Sequence, residues 1–202
     1  NNDTLLAVRA LRAEIANDRA FAAFPGSFFA GLGMSHTVAE ADWRDDFDLQ
    51  IFNNIFANSR GVQFGSHVHI DPSPIAARST MSRNLFWQSG NPVIINWGGT
   101  ATSYSSPAAL AGFTGGTNNL LANPQFVTPG TDFHLQAGSP AIDSGILHAV
   151  YDLFESLFGR SIRMDYDRVA RPQGVEWDMG TYESGTGGVG TVPAAPTNLV
   201  VQ

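Results

Sequence analysis

Acidic side chains are densest in the segment DWRDDFD, residues 42–48. Asp46 and Asp48 lie two positions apart and would share one face of a strand, whereas Asp45 would point to the other face. Paired carboxylates can act as general acid and base in glycoside hydrolysis, and the three together could hold Ca²⁺ through oxygen ligands. Arg44 could neutralise a uronate carboxylate or serve as the base of a lyase. The alternative for the whole segment is a solvated turn with surface ion pairs.

Two histidines lie in the next polar segment, SHVHID, residues 66–71. His67 and His69 alternate along a predicted strand, and Asp71 follows on the same side. Three such groups on one face can coordinate a metal or form a proton-transfer site. The alternatives are a polar surface, if the face is exposed, and a structural role, if it is buried. We take both histidines, together with Arg44 and the Asp46/Asp48 pair, as candidate catalytic residues.

Aromatic side chains near these two segments could bind a sugar. The candidates are Trp43, Trp87 and Trp97, with Tyr104 as a further possibility. An aromatic face offers apolar area to the C–H side of a pyranose ring. Together with Asp71, the three tryptophans are the predicted substrate-binding residues, and packing beneath loops is the alternative role for them.

The elements that must position these groups are indicated by an internal repeat. The stretch IFNNIFANSRGVQF, residues 51–64, returns thirty positions later as MSRNLFWQSGNPVII, residues 81–95, with Asn54 matching Asn84. This offset is close to one coil of a parallel β-helix, in which equivalent strands stack in register. Asn suits the corners because it tolerates left-handed backbone, and stacked Asn side chains could bond to each other. The alternative is an antiparallel sheet with an accidental repeat.

Three segments have helical patterns. Residues 3–18 place apolar residues on one helical face, with a strand and turn as the alternative. A short helix is predicted after Ser105 or Ser106, with Pro107 in its first turn. Residues 147–158 form the clearest amphipathic helix, ended by Gly159. Its apolar stripe, which we expect to pack into the core, consists of Val150, Leu153, Phe154, Leu157 and Phe158.

The composition limits the partners. The net charge of −7 makes the chain a poor electrostatic partner for nucleic acid or anionic lipid. The absence of cysteine excludes disulfides and thiolate metal sites. No apolar run is long enough to predict a membrane span.

Three motifs in the second half of the chain follow one another in a fixed order. They are NPQF (residues 123–126), DFHLQAGSPAIDSG (132–145) and DYDRVARPQGVEWDMGTYE (165–183). Together they resemble the closing segment of bacterial secreted right-handed parallel β-helix proteins, of the choice-of-anchor Q type. The helix predicted at residues 147–158 lengthens the link that this family usually has between its second and third motifs.

The resemblance implies the domain organisation and location of the chain. Residues 1–183 would be the C-terminal portion of an all-β, right-handed parallel β-helix with short helical decorations. Residues 184–192, SGTGGVGTV, would be a flexible linker. Residues 193–202 resemble the opening strand of a fibronectin type III module. We therefore expect a piece of a longer protein, secreted or on the bacterial cell surface, with anchoring through further C-terminal modules.

The resemblance also implies the partner and the activity. Proteins of this kind often degrade or bind polysaccharides, so we expect a lyase or glycoside hydrolase that acts on an extended, uronate-containing glycan. Its site would lie on residues 44–71, and Ca²⁺ would be the cofactor if there is one. Several lyase families use a Lys base, but all eleven basic residues of this chain are Arg. The alternative is a non-catalytic surface protein that binds glycan or builds an extracellular assembly.

Overall fold

The structure is a computed structural model that describes residues 32–35, 50–60, 65–71 and 73–185 of the 202-residue chain. The predicted helix at 3–18, the acidic segment at 42–48, most of the predicted linker and the fibronectin-like tail lie outside the described residues.

The described residues form short strands and three helices. The helices are α1 (Ser73–Arg78), α2 (Pro107–Ala111) and α3 (Ala149–Phe158). The strands are β1 (Leu32–Ser35), β2 (Gln50–Phe52), β3 (Ile55–Ala57), β4 (Val68–Asp71), β5 (Thr80–Ser82), β6 (Leu85–Trp87), β7 (Val93–Trp97), β8 (Thr100–Tyr104), β9 (Leu120–Leu121), β10 (Phe126–Thr128) and β11 (Asp132–Leu135). They pair as β1-β4-β7-β8, β2-β5, β3-β6-β9 and β10-β11.

The two copies of the sequence repeat pair with each other in parallel and in register. Ile51 of β2 lies opposite Met81 of β5, and β3 and β6 are matched in the same way. Matched residues of the two copies therefore stack on each other: the rings of Phe56 and Phe86 are parallel within 10°, with their centroids 4.9 Å apart. The alternative of an accidental repeat in an antiparallel sheet is wrong for these strands.

A ladder of three Asn side chains runs through the corners between the paired strands. Asn54 Nδ2 donates to Asn84 Oδ1 at 3.1 Å, and Asn84 Nδ2 donates to Asn119 Oδ1 at 3.1 Å. The amide oxygens of Asn84 and Asn119 also accept the backbone N–H groups of Asn54 and Asn84, respectively. We call Asn54, Asn84 and Asn119 the Asn ladder. The predicted bonding between stacked Asn side chains is confirmed.

The left-handed backbone of each corner lies one residue before the Asn ladder. The three positions have φ values of 59°, 56° and 55° and are Asn53, Arg83 and Asn118. A left-handed conformation costs roughly 1–2 kcal/mol for an L-residue. At Arg83 the backbone bonds to Thr117 and Asn53 and the side-chain bonds of Asn84 hold the turn.

The predicted fold class, an all-β right-handed parallel β-helix, is wrong. The described residues form small separate sheets of two to four strands with three helices, and two of the strand pairs are antiparallel. The stacking of matched strands is interrupted after Trp97. There Gly98 and Gly99, with φ values of 64° and 81°, make the two-residue turn that reverses the chain into the β7–β8 hairpin. The third parallel level is reduced to the two residues of β9.

The closing segment folds back onto the first corner. Asn53 accepts from the N–H of Ile146 and donates to its carbonyl, at 2.9 and 2.8 Å. The N–H of Gly180 donates to the backbone carbonyl of Asn53 at 2.7 Å. Met179 and Ala141 are buried against Ile55 and the neighbouring strand residues. The first corner and the closing segment are therefore joined by hydrogen bonds and by one shared apolar cluster.

The start of α2 and the end of α3 lie where the sequence predicts, whereas α3 begins at Ala149, two residues after the predicted position 147. Ser106 caps α2 by accepting from the N–H of Ala109, and Pro107 lies in its first turn. Gly159 ends α3 with a φ of 62°. The predicted packing of the α3 stripe is wrong in its C-terminal half, where three residues are about half exposed, namely Leu153, Leu157 and Phe158. Only the first turn of α3 rests on the core, through Val150 and Tyr151.

A buried ion pair fixes the end of the closing segment. Arg171 Nη1 lies 3.1 Å from Glu183 Oε1, with both side chains almost fully buried. Glu183 also accepts the backbone N–H groups of Gln173 and Asp178, and Arg171 donates to the carbonyl of Gly180. Burial raises the pKa of Glu183, and Arg171 and these backbone donors oppose that change. The pair joins stretches of chain that lie in none of the sheets.

Replacing the middle of the Asn ladder should destabilise the protein. Asn84→Ala removes the side-chain bonds to Asn54 and Asn119 and those that Asn84 donates to the carbonyls of Ile51 and Ser82, for a loss of about 3 kcal/mol in the free energy of unfolding. Urea denaturation measures this loss. Asn91→Ala, at an exposed position, is the control and should change stability by less than about 0.5 kcal/mol. Equal stabilities of the two variants would contradict the role of the ladder.

Breaking the buried ion pair should have an effect of similar size. Glu183→Gln keeps the shape of the side chain but leaves the guanidinium of Arg171 buried without a counter-charge, which costs about 3–5 kcal/mol. Thermal unfolding of this variant is compared with that of Glu176→Gln, which changes an exposed carboxylate. A melting temperature of Glu183→Gln equal to that of the control would refute this assignment.

Candidate functional site

Five of the predicted site residues lie outside the described residues. These are Trp43, Arg44, Asp45, Asp46 and Asp48. Their catalytic, substrate-binding and Ca²⁺-binding roles stay predictions. Among the residues that the structure describes, no group of three or more His, Asp or Glu side chains could hold a metal ion.

His67 is fully buried immediately before β4. Its Nδ1 accepts the N–H of Ile94 at 3.1 Å, and its Nε2 lies 3.1 Å from Gln88 Oε1. Since an amide oxygen only accepts, these two bonds require the neutral ring with its proton on Nε2. Burial lowers the pKa of His67; the carbonyl oxygen of Ile94, 3.3 Å from Nδ1, and the amide oxygen of Gln88 oppose that change. The ring therefore joins β4 to β7 in the interior, and its predicted catalytic role has no support from this geometry.

His69 does not share an exposed face with His67, because His67 is fully buried. His69 lies on β4 between the buried residues Val68 and Ile70 and is itself partly exposed, opposite Asn96 of β7. Asp71 is the last residue of β4. Their predicted roles in catalysis and substrate binding stay predictions.

The described aromatic candidates pack against the core. Trp97 meets the ring of Phe113 edge-on at 5.2 Å, and Tyr104 is buried beside the same ring. Trp87 is partly buried against the cluster that contains Leu85. This arrangement agrees with the alternative of packing beneath loops, while sugar binding by Trp87 and Trp97 stays a prediction.

A different polar group assembles on the surface at the β10–β11 hairpin. His134 Nδ1 lies 2.6 Å from Asp132 Oδ1, and His134 Nε2 lies 3.0 Å from Asp167 Oδ2. All three side chains are roughly half exposed, at 45%, 41% and 52% in the order His134, Asp132 and Asp167. One imidazole therefore lies between two carboxylates that solvent also reaches.

Two tyrosines extend this group into an aromatic surface. The ring of Tyr182 stacks on His134 with centroids 3.8 Å apart, and Tyr166 meets Tyr182 edge-on at 5.8 Å. Tyr166 is 60% exposed. We call these residues the aromatic–carboxylate surface; its five members are Asp132, His134, Tyr166, Asp167 and Tyr182.

Local backbone bonds position each member of this surface. Asp132 Oδ1 accepts the N–H of His134 at 3.0 Å, which fixes the start of β11. Asp165 makes the turn that presents the next two residues, because its Oδ1 accepts the N–H of Val169 at 2.7 Å. Tyr182 directly precedes Glu183, which the buried ion pair fixes.

Interactions within the surface shift the pKa values of His134 and Asp132. The hydrogen bond that His134 makes to Asp132 raises the pKa of the imidazole. Burial lowers this pKa, and the bond to Asp167 raises it again. The bonds from the backbone and ring of His134 lower the pKa of Asp132. At neutral pH Asp132 is therefore an ionised acceptor, and His134 holds its proton more tightly than a free imidazole does.

The sequence did not predict this surface. Its residues belong to the DFHLQ, DYD and TYE parts of the closing motifs, and 33 positions separate His134 from Asp167. The D-x-H spacing and the two tyrosines were the available local signals. Neither shows that the hairpin and the 165–169 turn come together.

Comparisons with known proteins bring no identification. No family model matches the chain, and neither a curated protein nor a solved structure matches it. The likeness of the closing segment to the choice-of-anchor Q type therefore remains a resemblance.

The helices of the described ranges set one limit on how the chain meets a membrane. None of them combines the length and the apolar character that a membrane-spanning helix needs.

The buried neutral His67 predicts a loss of stability in mild acid. Because its pKa is lowered in the folded state, the unfolded chain binds the extra proton as pH falls below about 6.5, and the free energy of unfolding decreases. His67→Gln can replace both bonds without titrating. We expect the difference in unfolding free energy between wild type and variant to change between pH 7.5 and 5.5. Urea titrations that give parallel pH profiles for the two proteins would contradict the prediction.

Proposed function

We propose that this chain binds carbohydrate at the aromatic–carboxylate surface without cleaving it. The observation that carries the proposal is the exposed ring of Tyr166, next to the stacked Tyr182 and His134 and flanked by Asp132 and Asp167. A single exposed ring would need no explanation, but here three rings and two carboxylates adjoin on one surface.

This pairing of groups matches the two sides of a sugar ring. The C–H face of a pyranose is apolar and can stack on the ring of Tyr166, while its hydroxyl groups can donate to Asp132 and Asp167. The carboxylates accept hydrogen bonds and donate none when ionised. The surface therefore offers one stacking partner and two sets of acceptors to a single ligand.

Binding fits these carboxylates better than glycosidic cleavage. A general acid for a glycosidase needs a pKa raised by an apolar environment, whereas the pKa of Asp132 is lowered by its bonds to His134. The lyase or hydrolase expected from the sequence depends mainly on Arg44, Asp46 and Asp48, and it stays a prediction. So does the expected location outside the cell, which rests on the resemblance of residues 123–183.

The charge of the surface favours a neutral glycan. Two carboxylates flank one imidazole, and the chain as a whole carries −7. A uronate would meet like charges at this surface, which weakens association at low salt. A neutral hexose or pentose polymer meets no such repulsion.

The test is a binding panel with the 202-residue chain. Isothermal titration against oligosaccharides of cellulose, xylan and mannan is compared with oligomers of polygalacturonate and alginate at pH 6. Binding to at least one neutral oligomer, with weaker binding to the uronates, is expected. Release of reducing ends from any member would refute the non-catalytic part of the proposal. Binding of a trimethylammonium compound but no glycan would overturn it in favour of a cationic ligand.

Removing the exposed ring should reduce this binding selectively. Tyr166→Ala is expected to weaken the neutral oligomer about tenfold, since aromatic stacking is worth roughly 0.5–1.5 kcal/mol beyond the buried area. Phe158→Ala removes an aromatic ring of similar exposure on α3 and is the matched control, with no change in affinity. Equal affinities of Tyr166→Ala and wild type, with both folded by circular dichroism, would exclude this surface as the binding site.

A further inference from the structure

The hydrogen bonds of His134 define its protonation state by geometry. Each of its ring nitrogens lies within hydrogen-bond distance of a carboxylate oxygen, at 2.6 Å from Asp132 and 3.0 Å from Asp167. Ionised carboxylates only accept, and a neutral imidazole carries a single N–H. Both bonds can therefore exist together only when the ring is the doubly protonated imidazolium.

The two bonds join separate parts of the chain. Asp132 and His134 lie on β11, which pairs with β10 in a two-stranded hairpin. Asp167 lies in the 165–169 turn, which Asp165 fixes to the closing segment by accepting the N–H of Glu183 at 3.0 Å. A two-stranded hairpin has little stability of its own, so contacts with the rest of the protein determine how it is held.

The aromatic rings are built around the same imidazole. Tyr182 stacks on it within 22° of parallel, and Tyr166 is the chain neighbour of Asp167. A positively charged imidazole attracts the face of an aromatic ring more strongly than a neutral one does. The contact between His134 and Tyr182 is therefore stronger when the imidazole is charged.

We propose that the proton on His134 holds the aromatic–carboxylate surface in its binding shape, so that ligand affinity is switched by pH. The proposal deepens the proposed function and rests on it. In the protonated state the imidazolium donates to both carboxylates and lies against Tyr182. Loss of the proton breaks one of the two bonds and leaves Asp132 and Asp167 without the cation between them.

The groups around His134 determine the direction of the switch. Asp132 on its own strand and Asp167 from the neighbouring turn face it directly, and both favour the charged ring. Tyr182 covers one ring face, and Asp165 and Tyr166 lie near Tyr182. The pKa of His134 is raised and that of Asp132 is lowered. The protonated imidazole and the ionised Asp132 therefore exist together at pH values between these two pKa values. Affinity should fall on the alkaline side as His134 loses its proton, and on the acid side as Asp132 gains one.

The experiment follows the ring and the ligand separately. Two-dimensional NMR of the 202-residue chain records the ring signals of His134, Tyr166 and Tyr182 from pH 5.5 to 9. The neutral oligosaccharide bound best in the panel is titrated at pH 6 and pH 8.5. We expect His134 to titrate above 6.5, the tyrosine signals to shift with the same midpoint, and the affinity to be at least fivefold lower at pH 8.5.

Two variants isolate the cause. His134→Gln is neutral at every pH and should bind weakly with the same affinity at pH 6 and 8.5. Asp167→Asn removes one carboxylate charge and should move the midpoint of His134 to lower pH, together with the loss of affinity. Phe158→Ala, away from the surface, should keep the wild-type pH profile.

Each outcome decides between the two proposals. A midpoint of His134 at or below 6.5, tyrosine signals that do not follow it, or equal affinity at the two pH values would overturn the switch. Absence of binding to every neutral glycan at pH 6 would overturn the proposed function. In that case the coupled titration of His134 and the tyrosines still shows whether the proton holds the surface in shape.

Discussion

The need to satisfy backbone and amide groups inside the corners of the chain is the constraint on which the rest of the structure depends. The paired strands are only two to five residues long, and the buried polar residues of the described ranges lie outside them, in corners and other turns. The Asn ladder solves this problem because an amide can donate and accept at once. Each rung bonds to the next side chain and to the neighbouring backbone. With the corners fixed, the apolar residues of successive levels fall into register, and Phe56 stacks on Phe86 as a consequence.

The second half of the chain meets the same constraint with charge instead of amides. Arg171 and Glu183 lie between stretches that have no strand partners, and each makes further bonds to backbone groups. This arrangement is costly to form because two ions are desolvated, and it tolerates little change because either ion alone would be left buried. The surface that carries the exposed tyrosines is fixed to this pair through Tyr182 and the Asp165 turn.

The sequence predicted what nearby residues determine. The matched Asn54 and Asn84 indicated both the pairing and the amide contact, because the two copies carry the same chemistry at the same place. The start of α2 followed from Ser106 and Pro107, and the end of α3 followed from Gly159, because these residues act within one turn of helix. The fold class failed because a repeat tells which neighbours pair but not how many levels follow or what covers them. The prediction that the α3 stripe packs into the core was wrong for a related reason: helical periodicity does not show which part of the helix lies on the core. The group around His134 could not be predicted either, since its two carboxylates come from stretches joined only in three dimensions.

The unequal spacing of the Asn ladder bears on how such a chain can change over evolutionary time. Asn54 and Asn84 are 30 residues apart, whereas Asn84 and Asn119 are 35 apart, yet both rungs close at 3.1 Å. The additional length is absorbed by the stretch that contains the β7–β8 hairpin and α2. Register is thus set by the amides and not by counting residues. Insertions and deletions between the ladder residues can therefore accumulate while the interior is preserved. The surface loops can change in length and sequence without changes in the core.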